Sequence, residues 1–326
     1  MLLVTGGAGF IGSNVVAALN DAGRADVVVC DLLGHDGKWR NLAKRQLADI
    51  VPSAELPAWL NGRRLDAVIH LGAISETTAT DGDLVIETNF RLSMRLLDWC
   101  TVHSTPFIYA SSASTYGDGS QGFADDPSIA ALKTLRPMNL YGWSKHLFDM
   151  AIAGRAASGE RLPPQWVGLK FFNVFGPNEY HKGAMMSVLA RRFDDIKAGG
   201  IVQLFKSHRE GIADGDQRRD FIYVDDVVRV MMWLLASPDV SGIFNVGTGK
   251  ARSFRDLMLA AYAALGTAPN IDYVDMPEAI RDSYQYFTQS DVDRLRRAGY
   301  NGGFTALEDA VATYVKGFLD RADRFR

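Results

Sequence analysis

Three side chains in the first half of the chain have the chemistry to move a proton on or off an alcohol. Tyr141 and Lys145 are four residues apart, so a helix would place both on one face. The Lys145 ammonium should make the Tyr141 phenol easier to ionise, because a positive charge favours the phenolate. Ser112, in the earlier segment 109–117, offers a hydroxyl that could hold a substrate oxygen against the phenol. These residues predict alcohol oxidation or carbonyl reduction, and they leave open what carries the hydride.

A glycine-rich turn at the start of the chain indicates a site for a dinucleotide. The apolar run Leu2–Thr5 predicts a buried strand, and residues 13–19 have the periodicity of a helix. Segment 6–12 between them has glycine at every third position, which lets backbone approach a phosphate at the helix N-terminus. Asp31 ends the next strand roughly twenty residues on, where an acid meets the adenosine ribose. A tight turn without a ligand is the alternative, and the placed acid argues against it.

Length and composition are those of an ordinary globular protein. The 326 residues, of which 47% are hydrophobic and 22% charged, could form one large domain or two. A net charge of −3 argues against a general role at nucleic acids or membrane surfaces. Apolar runs are shorter than a membrane span, and no basic segment precedes the first strand. We therefore expect a cytoplasmic protein without a signal peptide.

Cysteine and histidine usage predicts neither disulfides nor a metal site. Cys30 and Cys100 are the only cysteines, and we expect both to be free, buried thiols. The six histidines include no pair with the spacing of metal ligands. His70 follows an apolar strand, so we expect a structural role for it.

The elements that position these residues alternate between strand and helix. Apolar strands are predicted at 66–70, 106–110 and 166–170, with a helix at 84–102. This repetition predicts an α/β fold with a Rossmann-type, doubly wound parallel sheet, whose ligand lies at the carboxyl ends of the strands.

The pattern loosens after about residue 172, as expected where inserted segments interrupt the repeating units. The later predictions are polar loops at 178–183 and 206–217, a helix at 225–235 with Asp225 as N-cap, a strand at 243–246 and a last helix at about 307–319. We predict a nucleotide domain of 1–172 with 224–249 and 302–326. A smaller, discontinuous substrate domain would comprise 173–223 and 250–301.

Four features together resemble the extended short-chain dehydrogenase/reductase family over nearly the whole chain. They are the glycine turn, the Tyr141/Lys145 pair and the segments 219–225 and 245–249. Finer motifs resemble the ADP-L-glycero-D-manno-heptose 6-epimerase family, at 5–14, 171–177, 181–183 and 284–289. Segment 5–14 is shared by many nucleotide-sugar enzymes, whereas 181–183 and 287–289 are more specific.

The resemblance implies inversion of C6 of the heptose in ADP-D-glycero-β-D-manno-heptose, a step toward lipopolysaccharide core precursors. The implied route is NADP-dependent oxidation to a 6-ketone, then reduction on the opposite face. The two epimeric hydroxyls point differently, so each needs its own acid/base group. Tyr141 would serve one, and the family uses a lysine at the position of Lys182 for the other. Taken alone, Lys182 is an ordinary loop lysine; desolvation would lower its pKa and make it a base near neutrality.

The resemblance also assigns binding residues by position. Implied cofactor contacts are Gly6, Gly9, Phe10, Ile11, Gly12, Asp31, Leu32, Lys38, Leu71, Gly72, Ala73, Ile74, Ser75, Asn89, Lys145, Val174 and Lys182. Implied substrate contacts are Ser112, Asn173, Ala184, Arg191, Phe205, Lys206, Ser207, His208, Arg219 and Tyr284. Lys38 would meet the adenosine 2′-phosphate, which favours tightly bound NADP, whereas Asp31 alone suits NAD. An arginine fork at Arg219 suits the ADP diphosphate, although it could instead brace its loop. The family further implies a homo-oligomer, commonly a pentamer.

Several positions depart from the family pattern. Leu32 and Ser53 stand where polar or basic cofactor contacts are expected, which leaves NADP against NAD open. Ala184 and Arg191 replace an expected serine and histidine beside the sugar. The loop 206–218 is longer than usual by about six residues, a change that folds tolerate.

Two other functions compete with this interpretation. Another nucleotide-sugar epimerase or dehydratase of the same family is possible, but a 4-epimerase would not require Lys182. A dehydratase would carry an acidic pair near Ser112, where the chain has Ala, Ser and Thr at 113–115. A non-catalytic NAD(P)-sensing protein would be expected to lose the Tyr141/Lys145 pair.

Overall fold

A seven-stranded, fully parallel sheet forms the centre of the molecule. The computed structural model describes residues 1–35, 37–281 and 284–326. The sheet has the order β10-β6-β5-β4-β1-β2-β3. The strands among the described residues are β1 Leu2–Thr5, β2 Val27–Cys30, β3 Asp49–Val51, β4 Ala67–His70, β5 Phe107–Ser112, β6 Trp166–Phe171, β7 Asn173–Phe175, β8 Val202–Phe205, β9 Arg218–Tyr223, β10 Gly242–Val246, β11 Ala251–Ser253 and β12 Ile271–Val274.

The α-helices of the described residues are distributed between the central sheet and the rest of the chain. They are α1 Phe10–Asp21, α2 Leu56–Leu60, α3 Gly82–Val85, α4 Leu92–His103, α5 Ile129–Leu132, α6 Leu140–Ser158, α7 Val188–Lys197, α8 Val224–Leu235, α9 Phe254–Leu265, α10 Glu278–Arg281, α11 Asp293–Arg297 and α12 Leu307–Tyr314. Short 3₁₀ turns occupy Lys38–Asn41, Ala113–Tyr116 and Tyr180–Met185, and π-helical turns occupy Ile86–Arg91 and Val315–Leu319.

The central sheet is covered on both faces, which confirms the doubly wound prediction. Every residue of β1, β2 and β4 is buried, as expected for strands that read as continuous apolar runs. Helices α1 and α8 pack on one face, and α4 and α6 pack on the other. The strand order reverses at β1, which pairs with both β2 and β4. Ligands of such sheets bind at this switch point, outside the carboxyl ends of the strands.

A second, smaller unit is built from two short sheets and their own core. One sheet has the order β11-β9-β7, and the other pairs β12 with β8. Helices α7, α9 and α12 pack together over them. The ring of Phe10, the first residue of α1, belongs to this second core although its helix belongs to the first.

The packing moves two of the predicted domain boundaries. Residues 307–319 contribute to the second core, whereas we had placed the last helix with the nucleotide domain. Leu295 and Tyr300 join the first core, although 250–301 was predicted to belong to the substrate domain. The apolar faces of these helices fit either core, and only tertiary packing decides between them.

Two local predictions were wrong. Helix α8 begins at Val224, and Tyr223 is its N-cap without a side-chain hydrogen bond. Asp225 instead lies in the first turn of α8 and pairs with Arg326. A carboxylate in the first turn also interacts favourably with the helix dipole. The predicted loop 178–183 includes part of a 3₁₀ turn, kinked at Gly183, which has a φ of 53°.

The expected structural residues of the first core are confirmed. Cys30 and Cys100 are both free and buried. The buried His70 ring lies between the hydroxyls of Thr5 and Ser93, at 2.6 and 2.8 Å. Within the three described ranges, no helix is both long enough and apolar enough to cross a lipid bilayer.

Candidate active site

The glycine turn fits a dinucleotide diphosphate. Gly6 has a φ of +66°, and a Cβ there would lie 2.6 Å from the backbone nitrogen of Gly72. A Cβ at Gly12 would collide with the carbonyl oxygen of Gly6. Gly9 caps α1 without a side-chain hydrogen bond, so no side chain competes for the first N–H groups of that helix. Close backbone packing therefore requires glycine at these positions, which suits a phosphate site at a helix N-terminus.

Asp31 is neutralised by Lys38 at the end of β2. One carboxylate oxygen accepts the Ala8 N–H at 2.9 Å. The other accepts the Leu32 N–H at 2.7 Å and the Lys38 ammonium at 2.6 Å. Because the pair brings a positive charge to this strand end, Asp31 does not present an isolated negative charge to a ribose substituent.

Helix α6 carries Tyr141 and Lys145 against the end of β5. The Asn139 side chain caps α6 by accepting the Gly142 N–H at 2.8 Å, which places Tyr141 in the first turn. A Cβ at Gly142 would lie 2.7 Å from the carbonyl oxygen of Ser114, so glycine lets the helix approach the turn after Ser112. Tyr141 is thus within hydrogen-bond reach of Ser112, and Lys145 lies one turn further along the same helix.

Burial dominates the electrostatics of this group. Lys145 is 3% exposed, and desolvation lowers its pKa to about 8 against the opposing charge of Asp149. Burial also raises the pKa of the Tyr141 phenol, and hydrogen bonding with Ser112 works in the other direction. Desolvation is thus the main influence on the pKa of this phenol in the structure, and the effect of the Lys145 charge stays a prediction.

Lys182 reaches the start of α1 from the second unit. Its Nζ lies 5.2 Å from the centre of the Phe10 ring. Desolvation lowers the pKa of Lys182, and the nearby Glu179 carboxylate raises it. Glu179 is itself fully buried, where it accepts the Ser187 hydroxyl at 2.7 Å and the Tyr314 hydroxyl at 3.2 Å. The hydrogen bonds of Glu179 thus hold the turn that carries Lys182 in place, and the lysine itself is partly desolvated.

His181 lies between Lys182 and the Lys38/Asp31 pair. Its ring nitrogen Nδ1 is 3.3 Å from the Asn41 side-chain nitrogen. Burial, followed by the positive charges of Lys38 and Lys182, lowers the pKa of His181 to about 4. The imidazole is therefore neutral at pH 7 and adds no third charge to the two lysines.

Arg219 is a buried cation that lies between two aromatic rings. It is 7% exposed, and its guanidinium lies 5.2 Å from the Tyr284 ring and 5.6 Å from the Phe254 ring. It donates to the Arg218 carbonyl at 2.9 Å, and no carboxylate of the described residues lies within 4.0 Å of it. Burial lowers its pKa. A buried guanidinium flanked by two aromatic rings has the charge and geometry to bind an anionic ligand.

The other predicted substrate residues differ in how they are packed and exposed. Phe205 packs edge-on against Tyr284, next to Arg219. The Ser207 N–H donates to Asp214, and the Nε2 of His208 accepts the Met276 N–H, so both are engaged within their own unit. Half-buried or exposed side chains are found at Asn173, Val174, Ala184, Arg191 and Lys206.

Asn89 connects segment 71–75, which is predicted to contact the cofactor, to helix α6. Its side chain is fully buried, accepts the Ile74 N–H at 2.8 Å and donates to the Ile74 carbonyl and the Ser144 hydroxyl. It therefore holds segment 71–75 against α6, and its predicted cofactor contact becomes an indirect one. Leu71, Gly72, Ala73 and Ile74 are half-buried at the exit of β4, and Ser75 is exposed.

Sequence reasoning missed Asp220, which assembles two of the family motifs. Its buried carboxylate accepts hydrogen bonds from the backbone of Thr248, Gly249 and Ser290. It stands inside the predicted motif 219–225, so the available signal was an acid between Arg219 and the apolar run 221–223. The described ranges contain no group of three or more His, Cys, Asp and Glu side chains arranged to hold a metal ion.

Comparison with known proteins agrees with this geometry. Residues 2–247 match the NAD dependent epimerase/dehydratase family. The ADP-L-glycero-D-manno-heptose-6-epimerase of Nitratidesulfovibrio vulgaris (strain DP4) is 48% identical over 329 residues, covering 100% of both chains.

Solved structures of related enzymes have the same fold. The Helicobacter pylori ADP-L-glycero-D-manno-heptose-6-epimerase is 27% identical with a TM-score of 0.79, covering 97% of this chain and 95% of that one. The Thermus thermophilus UDP-glucose 4-epimerase, solved as a complex with NAD, is 26% identical with a TM-score of 0.73, covering 97% of both chains. The chain therefore belongs to the NAD dependent epimerase/dehydratase family, with ADP-L-glycero-D-manno-heptose-6-epimerases among its full-length relatives.

Proposed function

We propose that this protein inverts C6 of the heptose in ADP-D-glycero-β-D-manno-heptose to give the L-glycero epimer. The observation that carries the proposal is the pairing of two candidate acid/base groups from different elements. Tyr141 comes from α6 beside the end of β5, and the partly desolvated Lys182 comes from the second unit beside the start of α1. One group for each hydroxyl configuration is what an epimerisation through a ketone requires. The names of the full-length relatives support the same substrate.

A nicotinamide dinucleotide is supported by the family and by the shape of the glycine turn. When bound, it would supply the hydride acceptor and donor for oxidation and re-reduction at one carbon. Residues of the glycine turn would hold its diphosphate. Lys145 has no hydrogen-bond partner among the described residues, which leaves its ammonium available to a ribose hydroxyl.

The chain's own residues divide the proton transfers. Tyr141 would accept the proton from one epimer's hydroxyl, with Ser112 holding that oxygen in place. Lys182 would return a proton to the oxygen in the opposite configuration. Both side chains are half-buried, and desolvation is the largest influence on the pKa of each.

NADP, rather than NAD, is the proposed form, because Lys38 offsets Asp31 where an adenosine 2′-phosphate would lie. Lys38→Ala should weaken NADP binding about tenfold and change NAD binding by less than about threefold, since one charged contact is lost. Titration of both dinucleotides by fluorescence or calorimetry would measure this. Lys44→Ala is the matched control, because Lys44 is more exposed and pairs with Asp323. Equal losses for NADP and NAD would contradict the assignment.

Arg219 should act in binding the ADP diphosphate. Arg219→Met should raise KM for the nucleotide sugar about ten- to a hundredfold and change kcat by less than about threefold, because a charged hydrogen bond is removed from ground and transition state alike. Steady-state kinetics would measure both constants. The neighbouring Arg218→Met, which removes an exposed arginine paired with Asp216, should leave KM unchanged. A normal KM in Arg219→Met would show that the arginine only braces its loop.

The direct test is incubation with ADP-D-glycero-β-D-manno-heptose, followed by NMR of the C6 epimers. Deuterium placed at C6 should be retained in the product, because the hydride leaves and returns without exchange. Solvent deuterium at C6 would instead indicate deprotonation and reprotonation at carbon. Absence of conversion, together with activity on UDP- or dTDP-hexoses, would overturn the proposed substrate.

A further inference from the structure

A buried carboxylate continues the face of α6 that carries the predicted catalytic pair. Asp149 follows Lys145 by four residues and Tyr141 by eight, so the three side chains lie on one stripe of the helix. Asp149 is 0% exposed. The proposed reaction gives it no task, although an acid is a costly residue at such a position.

Asp149 joins the helix to two strands whose ends form the site. One carboxylate oxygen accepts the Tyr109 hydroxyl at 3.0 Å. The other accepts the Ser111 hydroxyl at 2.7 Å and lies 2.8 Å from the Lys170 ammonium. Tyr109 and Ser111 belong to β5, and Ser111 directly precedes Ser112. The carboxylate thus links the helix of Tyr141 to the strand of Ser112.

Lys170 extends this link to the turn after Ser112. The lysine is 1% exposed on β6, and it donates to the Thr115 hydroxyl at 2.6 Å. Its Nζ also lies 4.9 Å from the centre of the Tyr116 ring. A buried ion pair with every partner in place holds α6, β5 and β6 in one arrangement, whereas loss of either partner leaves a buried charge.

The same carboxylate acts on the protonation of the pair above it. The charge of Asp149 raises the pKa of both Tyr141 and Lys145 and so opposes the effect of desolvation on Lys145. The other titratable groups packed around this stripe are His70 on β4, Tyr109 on β5, Lys170 on β6, Tyr116 in the turn and His146 on the helix itself.

We propose that Asp149 is a positioning residue of the active site, which, in a buried pair with Lys170, fixes the strand of Ser112 against the helix face of Tyr141 and Lys145. The inference rests on the proposed function, because it assumes that Tyr141 and Lys145 take part in the reaction. It acts through those groups, and no contact with substrate is required of it.

The test is the pH dependence of kcat in Asp149→Asn. Because Asp149 raises the pKa of both groups, its neutralisation should lower both, and the Lys170 charge left behind acts in the same direction. The profile should therefore move to lower pH by about one unit. Tyr109→Phe is the matched control, since it removes one hydrogen bond to Asp149 and no charge. Its profile should keep the wild-type position.

A double variant covers the case in which Asp149→Asn fails to fold. Asp149→Asn with Lys170→Met leaves no unpaired buried charge, and its profile should still move to lower pH by a smaller amount. An unmoved profile in the folded single or double variant would overturn the inference while the proposed function stands. A wild-type protein that does not convert the heptose would overturn the proposed function and this inference with it.

Discussion

Tyr141→Phe should lower kcat for epimerisation about 10²- to 10⁴-fold, because the variant keeps the ring and loses the hydroxyl that exchanges the proton. Dinucleotide affinity should stay within about threefold of the wild type, since the glycine turn is untouched. Rates would be followed by NMR of the C6 epimers, and affinity by titration. The control is Trp143→Phe, two residues further along α6, where the side chain is 45% exposed. Near-normal turnover in Tyr141→Phe would remove the phenol from the mechanism.

Lys182→Met should reduce epimerisation by a similar factor, about 10²- to 10⁴-fold, because the apolar side chain fills the space of the lysine without exchanging a proton. The matched control is Lys197→Met on α7, whose ammonium is exposed and pairs with Asp320. Near-normal epimerisation in Lys182→Met would contradict the proposal of two acid/base groups.

The two variants should also fail in complementary ways. If each group serves one configuration, each variant should still oxidise one epimer in a single turnover, and the two variants should accept opposite epimers. Absorbance of the reduced dinucleotide after mixing with each epimer would measure this. Loss of both half-reactions in Lys182→Met would assign the lysine to binding instead.

The sequence predicts the frame of the site well because its signals are local. Continuous apolar runs such as Leu2–Thr5 fit only strands that are covered on both faces, and the structure confirms β1, β2 and β4 as such strands. The spacing of Tyr141 and Lys145 needs only a helix, and Asn139 supplies the cap that begins it. The glycine spacing has a steric reason as well, within the turn at Gly12 and against the end of β4 at Gly6.

Features that depend on distant packing could not be predicted in the same way. The pKa of Tyr141 depends on how completely other elements bury it, and the local sequence does not predict that burial. The helix at 307–319 fits the second core instead of the first because its partners lie on α9, some fifty residues earlier. Asp149 and Asp220 are acids whose partners come from distant segments of the chain, so their roles become visible only in the folded structure.

The position of Phe10 ties together parts of the chain that the sequence divides into two units. Its backbone begins the helix of the glycine turn, its ring packs into the second core, and Lys182 lies over that ring. Separation of the units would therefore expose this ring and disturb the turn at the same time. We therefore expect the two units to unfold in one cooperative transition and a ligand that orders the glycine turn to stabilise both against heat.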